Sequence, residues 1–519
     1  MDRLSKEAMK SHASQGQRCE AQVRARREAF LLELFIDIYQ DVADSLSLSV
    51  KESRRDVLAI RHRVANEGIR FITYTLNTQF GKVIERSLQT GTAQFSGVAK
   101  RRGTQIPTLF GGLLCRIYES VNRTDECAAH LRLKSPDAAL VKVVGGLRQI
   151  CQFNWKTEIP YTDETAAKVV DAFVTVDNSL PPLPQEGGIV KILAYARSFI
   201  TEMFMGSHLC GYTGLDDFCD RAGRFCPKDI MPRHGPGSVS TGEAVHEKHV
   251  FRRLYAQLEA VYPYSEYFEY STGSVVDRYR GYEDLELCNA GAAKVVLVPK
   301  DSRGPRLISC EPLEYQWIQQ GLGRKFRDFV ERHPLTRGQV NFTDQSINRG
   351  LALSSSATGS HVTLDMKEAS DRVSLELVEY LFGDCPELLQ ALLACRTAET
   401  VLPNGNPHVM KKFAPMGSNL CFPVEALVFY VLGVSSMIHD YKLSRREARK
   451  ALFVYGDDLI VDAKYHGALL LHFPLVGLMF NEGKCFTAGP FRESCGCDAI
   501  CGVDVTPVRL RKVWGSLRY

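Results

Sequence analysis

Three aspartates carry the chemistry open to this sequence. Asp457 and Asp458 stand together in Phe453-Val454-Tyr455-Gly456-Asp457-Asp458-Leu459-Ile460-Val461, with apolar residues on either side. Asp365 closes the run His361-Val362-Thr363-Leu364-Asp365, about ninety residues earlier. Neighbouring ionised carboxylates are costly to bury unless something positive neutralises them. The pair at 457–458 is therefore either a solvated Gly-Asp-Asp turn or part of a divalent-metal site. A strand-end carboxylate followed by a carboxylate pair at a hairpin tip is one way to hold two metal ions. Two such ions, roughly 3.5–4 Å apart, clamp the attacking and leaving oxygens of a nucleotidyl transfer and lower the pKa of the attacking hydroxyl. Oxygen ligands suit two Mg2+ ions, with Mn2+ as a substitute, and argue against a thiolate-bound metal. Asp365, Asp457 and Asp458 are the expected ligands and catalytic residues.

The same chemistry needs a cationic grip on a triphosphate. Residues 294–308 read as a strand, a Gly304-Pro305 turn and a second strand, presenting Lys294, Lys300, Arg303 and Arg306 on one hairpin. Arginine offers forked donors to phosphate and lysine a point charge; standing alone, the hairpin would be a basic solvent-facing one. Ser418 and Asn419 lie in a Gly-containing loop ahead of a long apolar stretch. They can hydrogen-bond a ribose hydroxyl or the template backbone, or simply be loop polarity. Lys484 follows an apolar segment and, placed near a departing pyrophosphate, can act as general acid; a surface lysine is the alternative.

Local elements must hold these groups in place. Ala451 to Tyr455 and Leu459 to Val461 read as buried strands, with Tyr455 to Asp458 at the hairpin tip. His361 to Leu364 reads as a strand leading into Asp365, and a helix is expected from Ser370 or Asp371, with Val373, Leu377, Tyr380 and Leu381 inward. Tyr315 to Arg332 carries the apolar stripe Ile318, Leu322, Phe326 and Phe329 of a core helix. The first 105 residues look mostly helical, with basic clusters at Arg24, Arg26 and Arg27, at Arg54, Arg55, Arg61 and Arg63, and at Lys100 to Arg102. Each is a solvated face or, taken together, the lining of an RNA path. Leu180 to Gly188 reads as a connection between helical blocks. Arg233 to Ser238 is a Gly-Pro turn that either holds phosphate or is a plain turn. The aromatics Tyr262, Tyr264, Tyr267, Phe268, Tyr270, Tyr279 and Tyr282 either pack in a core or stack on bases.

At 519 residues the chain should divide into two or three subdomains. A net charge of +4 is mild, so a nucleic-acid site must come from clustered charge. Sixteen scattered cysteines suggest reduced, mostly buried thiols. The N-terminus has no apolar core of the signal-peptide kind, and no uninterrupted apolar run is long enough to cross a bilayer, so a soluble intracellular protein with no membrane association is expected.

Taken in order, several of these stretches resemble a known family. The set comprises Asp365-x-x-x-Ala369-Ser370-Asp371, Pro415-Met416-Gly417-Ser418, Tyr455-Gly456-Asp457-Asp458, Asn481-x-x-Lys484-x-Phe486 and Gly489-Pro490-Phe491-Arg492-Glu493-Ser494-Cys495-Gly496. It resembles the RNA-dependent RNA polymerases, and within them the replicase beta subunits of single-stranded RNA bacteriophages, the leviviruses. The recognisable region spans about residues 290 to 512. The resemblance implies an α+β right-hand fold of fingers, palm and thumb, the palm an antiparallel sheet backed by helices. It divides the chain into a helical region at 1–230 contributing to fingers and thumb, fingers with the basic hairpin at 231–350, a palm at 351–488 and a palm-thumb segment at 489–519.

By the same resemblance, Asp365, Asp457 and Asp458 hold metal, Lys300 and Arg306 bind triphosphate, and Asp371 with Ser418 or Asn419 discriminates ribose. It also implies primer-independent copying of phage genomic RNA in the cytoplasm of the infected bacterial host. The implied partners are template RNA, NTPs, host elongation factors Tu and Ts and a ribosomal protein. The loop reads Met416-Gly417-Ser418-Asn419-Leu420-Cys421, where better-known members carry Asn after the Gly and Thr at the position of Cys421. Which side chain meets the 2′-hydroxyl therefore stays open.

Three other readings compete. A reverse transcriptase shares the Tyr-x-Asp-Asp hairpin but usually lacks a carboxylate at the position of Asp371. A nucleotidyl cyclase shares the hairpin without a template, and the runs at 294–306 and 489–496 argue against it. A non-enzymatic RNA-binding protein would explain basic clusters but not three spaced aspartates.

Overall fold

A computed structural model of the chain describes residues 2–121, 130–206, 214–269 and 282–512, with residues 2–21 given by backbone alone. Helices dominate the first hundred residues, as their apolar spacing predicts: α1 (Asp2–Ser45), α2 (Val50–Glu67) and α3 (Lys82–Thr90), followed later by α4 (Ala138–Gln152). The Ser49 hydroxyl accepts the Glu52 amide ahead of α2, and the Asp137 carboxylate accepts the Leu140 amide ahead of α4. Each satisfies a donor that a helix leaves unpaired at its start. Two π-helical turns, Phe71–Thr75 and Asn77–Gly81, lead into α3. Phe35, Tyr39, Phe80, Phe110 and Leu147 bury together here, and Phe486, Phe491 and Ile500 complete this smaller core.

The larger core runs from Leu183 to Leu478. α5 (Asp163–Asn178) and α6 (Gly188–Met205) flank the Pro-rich connection. α6 buries Ile192, Phe199, Ile200, Met203 and Phe204, with Phe204 stacked on Phe326. The apolar face of α6 thus packs with partners downstream, in the larger core, while α4 belongs to the smaller one. Downstream of 489, Phe491 and Ile500 pack into the smaller core.

β1 (Ala292–Asp301) and β2 (Gly304–Cys310) form the basic hairpin, and α7 (Leu313–Arg332) and α8 (Ser346–Thr358) follow. Next come β3 (His361–Lys367), β4 (Glu399–Val401), β5 (Pro407–Val409) and α9 (Cys421–Tyr441), then β6 (Leu452–Tyr455), β7 (Asp458–Asp462) and β8 (Met479–Phe480). The hairpin edges a sheet of order β5-β4-β1-β2, and a second sheet has the order β6-β7-β3-β8. Every pair in the second sheet is antiparallel, and α8 and α9 pack against it. Val362, Thr363 and Leu364 on β3 and Leu459, Ile460 and Val461 on β7 are all buried, so both faces of these central strands are covered. β9 (Phe491–Ser494) and β10 (Cys497–Ile500) make a last hairpin.

Several expectations change. The single helix expected from Ser370 is two, Ala369–Arg372 and Leu375–Phe382, because extended Ser374 caps the second by accepting the Leu377 amide. α9 is long and apolar enough to cross a membrane, contrary to the sequence expectation, yet 89% of its apolar window is buried in the protein; a helix apolar all round is here a core helix. Arg24, Arg61, Arg63 and Arg101 pair with Glu28, Glu33, Glu67 and Glu52, which favours the solvated-face reading for them. The turn at 233–238 is closed by Lys248, whose Nζ donates to the Gly235 and Gly237 carbonyls. Tyr262 and Phe268 are core residues with Tyr264 and Tyr267 packed against them, while Tyr270 and Tyr279 lie outside the described residues. The described cysteines are free thiols, buried or partly buried.

Candidate active site

β6 and β7 are joined by Gly456 and Asp457 alone, with Tyr455 opposite Asp458. Gly456 has φ +60°, the left-handed conformation that two-residue hairpin turns require and glycine supplies freely. A Cβ there would sit 2.0 Å from the Phe422 ring, so side-chain contact as well as conformation demands glycine. On the other side of β7, Asp458 is the direct partner of Asp365 on β3. Residues opposed across an antiparallel pair share a face, with Cβ atoms about 4.5–5.5 Å apart. The register thus brings together three carboxylates that the sequence spreads over ninety-odd residues.

Each carboxylate has a different environment. Burial, then the neighbouring Asp365, raises the pKa of Asp457. Burial, then Asp457, pushes Asp458 up to about 6. Asp458 Oδ2 accepts the Cys495 amide at 3.0 Å. That amide belongs to the Cys495-Gly496 turn between β9 and β10, both residues at positive φ. The run at 489–496 thus positions a carboxylate of the site. Asp365 accepts from Lys484 Nζ at 3.0 Å on Oδ1 and from Asn481 Nδ2 at 2.9 Å on Oδ2. Burial works against the Lys484 charge, but Glu493 and Asp365 outweigh it and raise its pKa. Three oxygen-donor side chains, Asp365 and Asp458 half-buried and Asp457 open to the cavity, with Asp457 and Asp458 resisting ionisation, fit a hard divalent cation.

Asp457 and Lys484 open on a cavity of about 750 Å³ that also holds Lys300, Arg303 and Arg306. Burial, then Arg306 and Arg303, pushes Lys300 down to about 8. Arg303 is held by the Asp301 carboxylate through Nε at 3.0 Å and Nη2 at 2.6 Å. Lys294 is not among the cavity residues. It pairs with Cys310 at the far end of the hairpin, some six residues or about 20 Å from Lys300.

The ribose-reading candidates separate too. The Asp371 carboxylate accepts Lys412 Nζ at 2.9 Å. Lys412 is fully buried, lies over the Phe173 ring and has Asp177 3.8 Å away. Ser418 lies in a loop whose Met416 carbonyl accepts the Ser309 amide of β2. Asn419 turns away: its Nδ2 donates to the Gln319 carbonyl at 3.0 Å and its own amide to Gln319 Oε1 at 3.3 Å. Its side chain thereby fastens the loop to α7.

A family model described as RNA replicase, beta-chain, matches residues 255–518. The chain belongs to the RNA replicase beta-chain family. It is 34% identical over 251 residues to the RNA-directed RNA polymerase subunit beta of Enterobacteria phage SP, covering 48% of this chain and 40% of that one. Against the protein of the same name from Escherichia virus Qbeta it is 36% identical over 218 residues, 42% of this chain and 35% of the other. The RNA-directed RNA polymerase beta chain of Escherichia phage MS2 is 31% identical over 218 residues, 42% of this chain and 37% of the other. The matched stretch thus spans about two fifths of the length of these relatives. A solved structure of the BmCPV RNA-dependent RNA polymerase at elongation state overlays with a TM-score of 0.40 at 10% identity, covering 71% of this chain and 34% of that one.

Several residues of the site escape sequence reading in this family member. Lys412 shows only as the doublet Lys411-Lys412, and its partner Asp177 lies 235 positions away. Glu425, buried on α9, is pushed well above the carboxylate range by burial, Asp457 and Asp371; within an apolar run it was the visible oddity. Trp155, Lys156 and Arg511 line the cavity from the smaller core, with no local signal at all. A separate cluster, His439, Asp440 and His472, has metal-type ligands. It lies near the other end of α9, eighteen residues or about 27 Å from Cys421, and is not part of this site.

Proposed function

We propose that this chain synthesises RNA from NTPs on an RNA template by two-metal nucleotidyl transfer. The observation that carries the reading is the pairing of Asp365 with Asp458 across β3 and β7, with Asp457 at the tip beside a cation-lined cavity. In this reading the β6-β7-β3-β8 sheet with α8 and α9 is the palm, the β1–β2 hairpin belongs to the fingers, and the smaller core supplies thumb and part of the fingers. Asp365 and Asp457 are the principal metal ligands, joined by Asp458. Two Mg2+ ions, or Mn2+, bound there would supply charge neutralisation at the reacting phosphate and a lowered pKa for the attacking hydroxyl.

The protein's own groups do the rest. Lys300 and Arg306 take the triphosphate, and Arg303, tied to Asp301, shapes the hairpin tip. Asp371, held by Lys412, and Ser418 read the ribose 2′-hydroxyl. Lys484 Nζ gives a proton to the departing pyrophosphate oxygen. Relatives named as RNA-directed RNA polymerase subunits of phages support RNA-templated RNA synthesis; in this reading the template is a phage genomic RNA, initiation needs no primer, and the chain acts in the cytoplasm of the infected bacterium. The name 'subunit beta' in those relatives supports assembly with further subunits, for which this reading takes host elongation factors Tu and Ts and a ribosomal protein as the candidates.

Incubating the purified chain with RNA, Mg2+ and labelled nucleotides, with and without host extract, tests this. Template-length RNA from NTPs is expected. Incorporation of dNTPs in preference to NTPs would move the assignment to reverse transcription.

A further inference from the structure

The cavity beside the aspartates has two walls from two cores. One is the β1–β2 hairpin with Lys300 and Arg306; facing it are Trp155, Lys156, Arg509 and Arg511 of the smaller core. Backbone pairing builds the second wall. The Glu158 amide donates to the Arg511 carbonyl and the Leu510 amide to the Phe153 carbonyl, both at 2.8 Å. Thr157 Oγ1 donates to the Leu510 carbonyl at 2.9 Å. Two chain segments more than 350 positions apart thus run together, with Lys156 and Arg511 both in the cavity lining.

Four of the nine cations lining the cavity already have an acid. Arg303 has Asp301, Lys484 has Asp365, Arg148 has Glu85 and Asp498, and Arg509 has Asp498. Lys156 and Arg511 have no ion-pair partner among the described residues. Burial, then Arg509, Arg511 and Lys484, lowers the pKa of Lys156, and Lys300 across the cavity is lowered in the same way. Cations crowded by like charges, here a half-buried Lys156 with Arg511 and Lys300 open to the cavity, favour an anion between them. The cavity is pinned at the hairpin tip, where Ser302 Oγ donates to the Thr73 carbonyl of the smaller core at 2.8 Å. A compact polyanion suits such a space better than a continuous strand.

We propose that Lys156 and Arg511 form a second wall of the polyphosphate site, so that a nucleotide's triphosphate, and the pyrophosphate released from it, is held between the two cores. This rests on the nucleotidyl-transfer reading above.

The test is calorimetric titration of the full chain with inorganic triphosphate, alongside NTP kinetics and RNA binding. Lys156→Ala and Arg511→Ala are each expected to weaken triphosphate binding about tenfold and to raise KM for NTP, with kcat and RNA affinity little changed. Lys156→Arg should restore binding, and the Gln variants at both positions keep the result independent of any folding defect in one of them. Unchanged triphosphate affinity in these variants, with a loss in Arg306→Ala, overturns the second wall and leaves the proposed function standing. Weakened RNA affinity with an unchanged KM for NTP also overturns it, reassigning the pair to the template. A parent chain that incorporates no nucleotide while still binding triphosphate through Lys156 and Arg511 would instead overturn the proposed function and retain the site.

Discussion

Asp365, Asp457 and Asp458 sit within one patch of sheet, and Lys484 is the one cation hydrogen-bonded to any of them among the described residues. The proposed mechanism therefore predicts that Asp365→Ala or Asp457→Ala abolishes elongation while RNA binding persists, as read by primer-extension gels and filter binding. Elongation near the parent level would sink the assignment. Arg306, on the hairpin wall, should act on substrate affinity: Arg306→Ala raises KM for NTP with template affinity unchanged. Asp458 makes a different prediction. Its carboxyl is lifted from an ordinary 3.8 to about 6, so the ionised form is disfavoured in the fold, and this penalty is present above pH 6. With divalent ions chelated, Asp458→Asn should stabilise the protein at pH 8, on the order of 2 kcal/mol. The gain should shrink as pH falls from 6 toward 4, where the native site is already protonated. Thermal melts across that range check the sign.

Two glycines govern how the elements meet. Gly456 turns β6 into β7 against the Phe422 ring, and Gly417, at φ +134°, lies where a Cβ would be 2.0 Å from the Ser309 carbonyl oxygen. Gly456→Ala and Gly417→Ala should each destabilise by about 1–3 kcal/mol and depress synthesis. They differ in what relieves them. The obstacle at Gly456 is a side chain, so adding Phe422→Leu should recover part of the loss. The obstacle at Gly417 is the backbone of β2, which no side-chain change moves. Urea titration of the single and double variants distinguishes the two.

The whole molecule is closed by Arg148, 1% exposed, which spans Glu85 on α3 and Asp498 on β10 and lies over the Phe491 ring. It ties the start of the chain to a hairpin near residue 500. Arg148→Met would leave the buried Asp498 with Arg509 alone and Glu85 without its cation, and breaking a buried pair of this kind costs about 3–5 kcal/mol. The expected result is a lower urea midpoint. It should be accompanied by loss of synthesis, because β9–β10 carries the Cys495 amide that holds Asp458. A midpoint within error of the parent would mean the seam between the cores does not depend on this residue.

The hairpin at Tyr455 to Asp458 was legible in the sequence because its signals are local. Apolar runs of strand length, a glycine at the turn and adjacent aspartates determine a two-residue connection whatever surrounds it, and the order of motifs along residues 365–496 carried the family. The same local logic placed the basic hairpin at 294–306 and the core helix after it. It could not rank the cations on that hairpin, because whether Lys294 or Lys300 meets a ligand depends on which end of the strand faces the cavity. It left Ser418 and Asn419 undivided because a loop amide looks the same whether it turns toward ribose or toward Gln319. Nor could it find the division of cores, where α6 and the run from 486 each pack with partners hundreds of residues away. Tertiary structure alone decided that Asp365 faces Asp458, that Lys412 waits beneath Asp371, and that Lys156 and Arg511 stand opposite Lys300. Each is a contact between distant segments, set by sheet register and buried surface rather than by neighbours in the chain.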